Sequence, residues 1–225
     1  MCLKKQSTFL LSCFFFISIQ AFAFLPTCHK VTMDKVKSTL FSQFPQFAYA
    51  IPDGHYLADL EPDLQGPSHG YNVFSNKGNI LDMVRGKYQE IVNKWRSGKD
   101  ASKEIRWLVH YIADCLTIGQ ICGPTPKGLW GKKDDAIDLA CEFVSDKKKL
   151  PSHVIVNFAN IDSALTALKE KMYGTYTIYY PQQQQWFANG EVSVPEVSDY
   201  CRKQIAETAT YAASFIYLAS LESRR

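Results

Sequence analysis

The stretch IRWLVHYIADCLTIGQI, residues 105–121, decides the fold of this 225-residue chain. Apolar residues recur in it at steps of three and four, which predicts an amphipathic helix that becomes almost entirely apolar toward its C-terminal half. A helix of this kind belongs in a hydrophobic core. His110 and Asp114 lie four residues apart within it, so an imidazole and a carboxylate share one helical face. Burying two such groups is costly unless something pairs with them.

His110 and Asp114 allow two interpretations. In the simpler one they form a hydrogen-bonded pair and have no other role. In the other, both converge on one metal ion, because imidazole nitrogen and carboxylate oxygen are common zinc ligands. The chain contains only five histidines, and three of them, His29, His69 and His110, fall into an ordered pattern with the rest of the sequence. We therefore predict a metal site.

Amphipathic helices are predicted along most of the remaining chain. Their periodicity places them at residues 31–44, 79–97, from about 102, 134–144, 162–173 and from 195 onward. Residues 153–158 alternate like a short strand, although a buried extended segment fits this pattern equally well. Residues 173–190, YGTYTIYYPQQQQWFANG, are predicted to form an aromatic loop. The expected fold class is all-α, a single compact multi-helix domain.

The segment at residues 48–74, AYAIPDGHYLADLEPDLQGPSHGYNVF, differs from these helices. It contains three prolines, three glycines, four acidic residues and two histidines without helical spacing. Long irregular loops of this kind usually carry function or are disordered, and the interleaved aromatic residues argue against disorder. We therefore expect a long irregular loop over the metal site.

The first 23 residues have the pattern of a signal peptide. Lys4 and Lys5 precede an apolar run at residues 8–19, and Ala21-Phe22-Ala23 supplies a cleavage signal of small residues. The apolar run is short for a membrane span. We expect cleavage after Ala23, export to a periplasm or beyond, and one domain at residues 24–225 without a transmembrane span.

The charge balance argues against a large nucleic-acid surface. The full chain carries 25 Lys and Arg against 22 Asp and Glu, and cleavage would remove two of the lysines. A surface that follows phosphates normally has a clustered basic excess. The nearly neutral mature chain lacks that excess.

Cleavage would leave five cysteines, an odd number, so at least one thiol is expected to be free or paired with another chain. Cys115 and Cys141 lie on apolar helix faces and are expected to be small core residues. Cys28, Cys122 and Cys201 are candidates for a disulfide, and the sequence alone leaves their pairing open.

Four stretches of this chain share their order and spacing with a known family. They are Phe24 with His29 as the sixth mature residue, the loop from Asp53 to His69, the helical pair His110 and Asp114, and the segment from Trp130 to Asp134. Over residues 24–134 this pattern resembles the superfamily of secreted zinc-dependent phospholipases C and single-strand-specific nucleases. The resemblance implies an all-helical fold and a zinc cluster.

The resemblance also implies a ligand set. Asp53, His69, His110 and Asp114 would hold one zinc ion. The backbone amine and carbonyl of Phe24, together with His29, would hold a second, and Asp114 would bridge the two ions. Paired zinc ions about 3.5–4 Å apart can activate a shared water and clamp a displacement at phosphorus. The implied reaction is phosphodiester hydrolysis, with Asp53 and Asp114 as the catalytic carboxylates.

The third zinc site of that family is degraded in this chain. Two positions where the family has histidine carry Gln120 and Trp130, and only the carboxylate of Asp134 remains. An amide is a poor zinc ligand, and an indole nitrogen offers no usable lone pair. We therefore expect about two zinc ions per chain.

Several assignments have alternatives. Asp59 or Asp63 could replace Asp53 as the ligand, His55 could replace His69, and His29 could cap the first helix instead of binding metal. In the aromatic loop, Tyr179 and Trp186 could stack on a base or lie against a lipid headgroup, although such residues are more often packed inside the protein.

The leading hypothesis is a secreted, monomeric, zinc-dependent phosphodiester hydrolase of the phospholipase C type that acts on a phospholipid headgroup. Lipid is placed ahead of nucleic acid because the mature chain is short and nearly neutral. A single-strand nuclease is the alternative. A catalytically degenerate relative, acting as a binding or structural protein, is a third hypothesis, motivated by Gln120 and Trp130.

Overall fold

A computed structural model describes residues 26–45, 71–73, 77–117, 150, 154–186 and 194–225. The all-α prediction is confirmed, since five helices make up most of these segments. A two-residue antiparallel pair, β1 (Tyr71–Asn72) with β2 (Lys77–Gly78), precedes the second helix. The helices are α1 (Pro26–Gln43), α2 (Ile80–Arg96), α3 (Ser102–Leu116), α4 (Ile161–Trp186) and α5 (Val194–Glu222).

Helix α3 lies at the centre of the bundle. Between Glu104 and Leu116 every residue except Arg106 is buried. α3 packs most extensively against α2 and α5, and also against α4. An apolar surface on nearly all sides requires neighbours on nearly all sides, which explains why this helix is surrounded.

A short turn joins α2 to α3 and makes them an antiparallel pair. Gly98 occupies the left-handed region, with a φ of 65°, which favours glycine. Asp100 then accepts hydrogen bonds from the backbone N–H and the hydroxyl of Ser102, at 3.1 and 2.6 Å, and these bonds lower the pKa of its carboxyl. Beyond the turn, Lys94 Nζ lies 2.7 Å from the buried Glu104 Oε2.

Helices α4 and α5 run antiparallel, and three contacts set their register. The rings of Tyr179 and Tyr200 are 4.7 Å apart, Lys171 Nζ lies 2.6 Å from Glu207 Oε1, and the Tyr211 hydroxyl donates to the Ala167 carbonyl at 3.4 Å. As residue numbers rise along α4, they fall along α5. This register places Thr175 level with Gln204.

The sequence-based end of α4 is wrong. Residues 173–186, predicted as part of an aromatic loop, continue the helix through Pro181. Gly174 and Pro181 lower local helix propensity, but buried side chains keep helical spacing across this region, at Leu168, Met172, Thr175 and Tyr179. Packing against α5 therefore outweighs local propensity.

Residues 154–158 form no strand. Ile155 is buried, whereas its neighbours Val154 and Val156 are exposed. The Ile155 N–H donates to Gln43 Oε1 at 3.2 Å, and the Val156 N–H donates to Ser214 Oγ at 2.9 Å. Side chains of α1 and α5 thus accept the bonds that a neighbouring strand would otherwise accept. The strand prediction is therefore wrong, and the alternative of a buried segment holds only for Ile155, because Val154 and Val156 are exposed.

The cysteines agree with the predictions where the structure describes them. Cys115 is a buried free thiol, and Cys201 is buried and forms a disulfide bond. Cys122, Cys141 and the side chain of Cys28 lie outside the described residues, as do the helix predicted at 134–144 and most of the loop at 48–74. Among the helices described, none has the length and apolar character required to cross a membrane.

Candidate metal centre

The centre of α3 brings together the imidazole of His110 and the carboxylate of Asp114. The two residues are one helical turn apart, and their exposed fractions are 5% and 0%. His110 Nε2 lies 3.5 Å from Asp114 Oδ2. This much of the predicted constellation is therefore assembled in the core.

The distance between these two atoms suits a shared metal ion. It is longer than the usual N–H···O hydrogen bond. Two ligand atoms about 2.0–2.2 Å from a tetrahedral zinc ion would be roughly 3.3–3.6 Å apart, which includes the observed separation. The donor types also fit, since a neutral imidazole nitrogen and a carboxylate oxygen are ordinary zinc ligands.

Aromatic rings fix the orientation of His110. The Trp107 ring lies 5.6 Å from the imidazole and nearly perpendicular to it, and the Tyr111 ring lies at the same centroid distance at 61°. The Trp107 and Tyr111 rings are 5.5 Å from each other. All three side chains are buried. These rings exclude water from one side of the imidazole and strengthen any electrostatic interaction made there.

Cys115, directly after Asp114, has no exposed surface. Burial raises the pKa of its thiol well above the usual value, and the negative charge of Asp114 raises it further. Cys115 therefore acts as a small core residue, as the sequence predicts.

The other predicted ligands lie outside the described residues. This applies to Phe24, Asp53 and His69, to the side chain of His29 in α1, to the alternatives His55, Asp59 and Asp63, and to the third-site positions Gln120, Trp130 and Asp134. Within the described segments, no group of three or more His, Cys, Asp or Glu side chains could hold a metal ion. Those segments bring together two of the six predicted ligands, His110 and Asp114.

Tyr179 is packed inside the bundle rather than displayed to solvent. It lies in α4 with its ring edge-to-face against Tyr200. Burial raises the pKa of its phenol, and the nearby Glu207 raises it further. This position leaves little ring surface for a base or headgroup to stack on, so the packed alternative describes Tyr179. Trp186 is the last residue of α4, and its side chain lies outside the described residues.

The sequence analysis missed a second set of buried polar side chains, between α4 and α5. Thr175, Gln204 and Thr208 are almost completely buried, and their side-chain oxygen and nitrogen atoms form no hydrogen bond within the described part of the chain. Such groups lower the stability of a core. Gln204 and Thr208 are four residues apart on a largely apolar face, which is the signal that could have identified them.

Helix α3 brings together one nitrogen donor and one carboxylate oxygen donor. A tetrahedral zinc ion bound there would need further ligands from other parts of the chain. No protein-family model matches this sequence, and no curated protein matches it.

Proposed function

We propose that this protein is a secreted zinc-dependent phosphodiester hydrolase of the phospholipase C type, with a dinuclear metal site. The buried pair of His110 and Asp114, separated by 3.5 Å between Nε2 and Oδ2, carries the proposal. A carboxylate with no exposed surface is costly in a helical core. A divalent cation bound by both residues would add to the compensation of that cost, because it attracts the carboxylate and accepts the imidazole nitrogen as a ligand.

The proposed ligands follow the family pattern. Asp53, His69, His110 and Asp114 hold one zinc ion, while Phe24 through its backbone and His29 hold the second, with Asp114 shared. When bound, such a pair supplies an activated water and positive charge near the phosphate oxygens. Export and cleavage after Ala23 belong to the same proposal, because the ligating amine of Phe24 exists only after cleavage.

The described residues contribute positioning and shielding. Asp114 is held on a helix that is packed on nearly all sides, so its carboxylate cannot swing away from a bound ion. Trp107 and Tyr111 limit the rotation of His110 and keep water from one face of its ring. A ligand set is effective when its orientation is fixed before the metal binds.

A phospholipid is the preferred substrate. The nearly neutral chain offers little electrostatic attraction for a polyanion. The burial of Tyr179 also removes one of the two aromatic side chains that a nuclease would use to stack bases. Hydrolysis of single-stranded nucleic acid is the second candidate, and Trp186 is the remaining aromatic residue that favours it.

A degenerate binding protein is the third candidate, because Gln120 and Trp130 replace two imidazoles of the family pattern. Restoring both histidines separates these possibilities. A large gain in diesterase activity in the double variant Gln120→His, Trp130→His supports a lapsed enzyme. Unchanged activity in a protein that is already active shows that two metal ions suffice.

The decisive experiment measures zinc per chain on exported protein whose N-terminus is read from the same sample. We expect about two zinc ions on a chain that begins at Phe24, and zinc-dependent release of a phosphorylated headgroup from phosphatidylcholine. Zero zinc on a correctly processed chain contradicts the metal centre. A zinc-loaded protein that releases no headgroup contradicts the phospholipase proposal.

Glu104 supplies a matched control for the metal centre. It is a second buried carboxylate on α3, but its charge is paired with Lys94 at 2.7 Å. Asp114→Asn should lose zinc and activity, whereas Glu104→Gln should keep both. If the two variants lose zinc equally, the loss reflects damage to α3 and not the removal of a ligand.

A further inference from the structure

The disulfide bond of Cys201 has a partner that the sequence alone leaves open. Cys201 lies on α5, has no exposed surface and is disulfide-bonded, whereas Cys115 is a free thiol. The other cysteines of the expected mature chain are Cys28, Cys122 and Cys141. The partner must bring its Cα atom to within about 4.4–6.8 Å of that of Cys201. The helix that packs beside Cys201 therefore identifies the partner.

Helix α1 carries Cys28 in its first turn and lies along α5. Among the described helices, no pair packs together more extensively than α1 and α5. The buried side chains of α1 extend from Val31 to Leu40, along much of the helix. A steep crossing would bring only the crossing point into contact, so the two helices run side by side.

The direction of α1 along α5 follows from one ring contact. The Phe44 ring stacks on the Tyr217 ring with 4.0 Å between their centroids, close to the end of α5 at Glu222. The Phe44 N–H still donates to the Leu40 carbonyl, so Phe44 continues the helical register of α1. In an antiparallel arrangement the earlier turns of α1 would lie beyond the end of α5 and could not pack on it. The two helices are therefore parallel.

Equal spacing along both helices then places Cys28 level with Cys201. Phe44 is 16 residues after Cys28, and Tyr217 is 16 residues after Cys201. Each residue of an α-helix advances about 1.5 Å, so both cysteines lie about 24 Å from the stacked rings in the same direction. Cys28 is also one helical turn before Thr32, which is completely buried, and so occupies the same face of α1.

We propose that Cys28 and Cys201 form this disulfide bond, which ties the first turn of α1 to α5. Formation of the Sγ–Sγ bond removes two protons and two electrons from the two thiols. An oxidoreductase of the oxidising compartment accepts the electrons as its own disulfide becomes two thiols. Pairing of Cys201 with Cys122 or Cys141 is the alternative that the experiment must exclude.

The bond also positions the second zinc site, and this part of the inference rests on the proposed function. His29 directly follows Cys28, and Phe24 is four residues before it. Both proposed ligands of the second ion are therefore close in sequence to the bond that fixes α1. His110 and Asp114 are held separately by the packing of α3. Loss of the bond should release the second ion and leave the first in place.

Peptide mapping without reduction tests the pairing on exported wild-type protein. Trypsin releases the cysteines in four different peptides, which are 24–30 with Cys28, 107–127 with Cys115 and Cys122, 134–147 with Cys141, and 172–202 with Cys201. We expect peptide 24–30 linked to peptide 172–202, and reduction should separate them. A link from 172–202 to either of the other two peptides overturns the pairing.

Zinc per chain tests the positioning role. Cys28→Ser and Cys201→Ser should each lower the zinc content from about two ions per chain to about one, with an unchanged helical circular dichroism spectrum. Cys141→Ser is the matched control, because it removes a cysteine outside the proposed pair, and it should keep both ions. A Cys28→Ser protein that keeps both ions, or a Cys141→Ser protein that loses zinc equally, overturns the positioning role.

The two measurements separate this inference from the proposed hydrolase, because the peptide map depends on neither zinc nor activity. The expected linked peptides from a protein without zinc support the disulfide and contradict the metal centre alone. A different link in a protein that holds two zinc ions contradicts the disulfide alone.

Discussion

Helices α3 and α5 both bury polar side chains, but they treat them differently. On α3, Glu104 pairs with Lys94, and the imidazole of His110 approaches the carboxylate of Asp114. Directly after α3, Thr117 donates to the Ala113 carbonyl. On α5, the buried hydroxyls of Ser214 and Ser220 donate to backbone carbonyls, whereas Gln204 and Thr208 form no hydrogen bond within the described part of the chain. A buried charge must be compensated, whereas a buried neutral group is tolerated at a smaller cost. Polar groups on α3 are thus where function is to be sought first.

The largest effect is expected when Asp114, in the pair that it forms with His110, is replaced. Asp114→Asn removes the proposed shared anionic ligand while keeping the volume of the side chain. We expect the affinity for zinc and kcat/KM for headgroup release each to fall by more than about a hundredfold, since even residues that only orient metal ligands cost about 10–100-fold. Zinc titration and a headgroup-release assay measure the two quantities. Full activity in this variant would show that His110 and Asp114 have only a structural role.

The second-largest effect is expected when the imidazole of His110 is removed. His110→Gln should reduce zinc affinity by about a hundredfold while leaving the helix intact, because Trp107 and Tyr111 still pack around the site. Circular dichroism checks the fold, and zinc titration checks the affinity. A variant that unfolds with or without zinc would show that His110 serves packing and not binding.

Substitutions of two threonines test the comparison between hydrogen-bonded and unpaired buried polar groups. The quantity measured is the free energy of unfolding. Thr208→Val replaces a buried hydroxyl that lacks a partner in the described residues, so it should stabilise the protein by about 1 kcal/mol. Thr117→Val removes a buried hydroxyl that donates to the Ala113 carbonyl at 2.9 Å, so it should destabilise by roughly 0.5–1.5 kcal/mol. Urea denaturation gives both values.

Changes of equal sign in these two variants would contradict the distinction between α3 and α5. Headgroup release adds information about α5. A stabilised Thr208→Val protein with reduced activity would indicate that the buried hydroxyl is kept at a cost to stability because activity depends on it.

The smallest effect is expected at Tyr179. Its ring is packed against Tyr200, so Tyr179→Phe keeps the contact and removes only the hydroxyl. Unfolding free energy should change by less than about 0.5 kcal/mol, and binding of single-stranded nucleic acid should be unaffected. A clear loss of nucleic-acid binding would favour the nuclease.

Local sequence patterns predicted α3 correctly, but they failed to predict the C-terminal half of α4. The start of α3 at Ser102 and the shared face of His110 and Asp114 follow from spacing alone. The continuation of α4 past Gly174 and Pro181 does not, because it depends on Tyr200, which is remote in sequence. Whether Asp53 and His69 reach His110 likewise depends on the path of a long loop. Helical periodicity carries no information about that path.

Gln204 and Thr208 went unrecognised for a related reason. Glutamine and threonine are mostly found on surfaces, and composition alone assigned no role to them. Their positions on α5, four residues apart among alanines and isoleucines, place them on the inner face. Hydrophobic spacing in this case indicates burial of polar residues as clearly as burial of apolar ones.

The contacts between α2 and α5 have a consequence for biosynthesis. The Tyr88 hydroxyl donates to a carboxylate 134 residues later, and Arg96 reaches the same residue. α3 is also packed against α5. During translation, the part of the apolar surface of α3 that faces α5 therefore stays uncovered until α5 has left the ribosome, so native packing is completed late. Under the proposed export, this late completion of packing would favour transfer of the chain before it folds around His110 and Asp114.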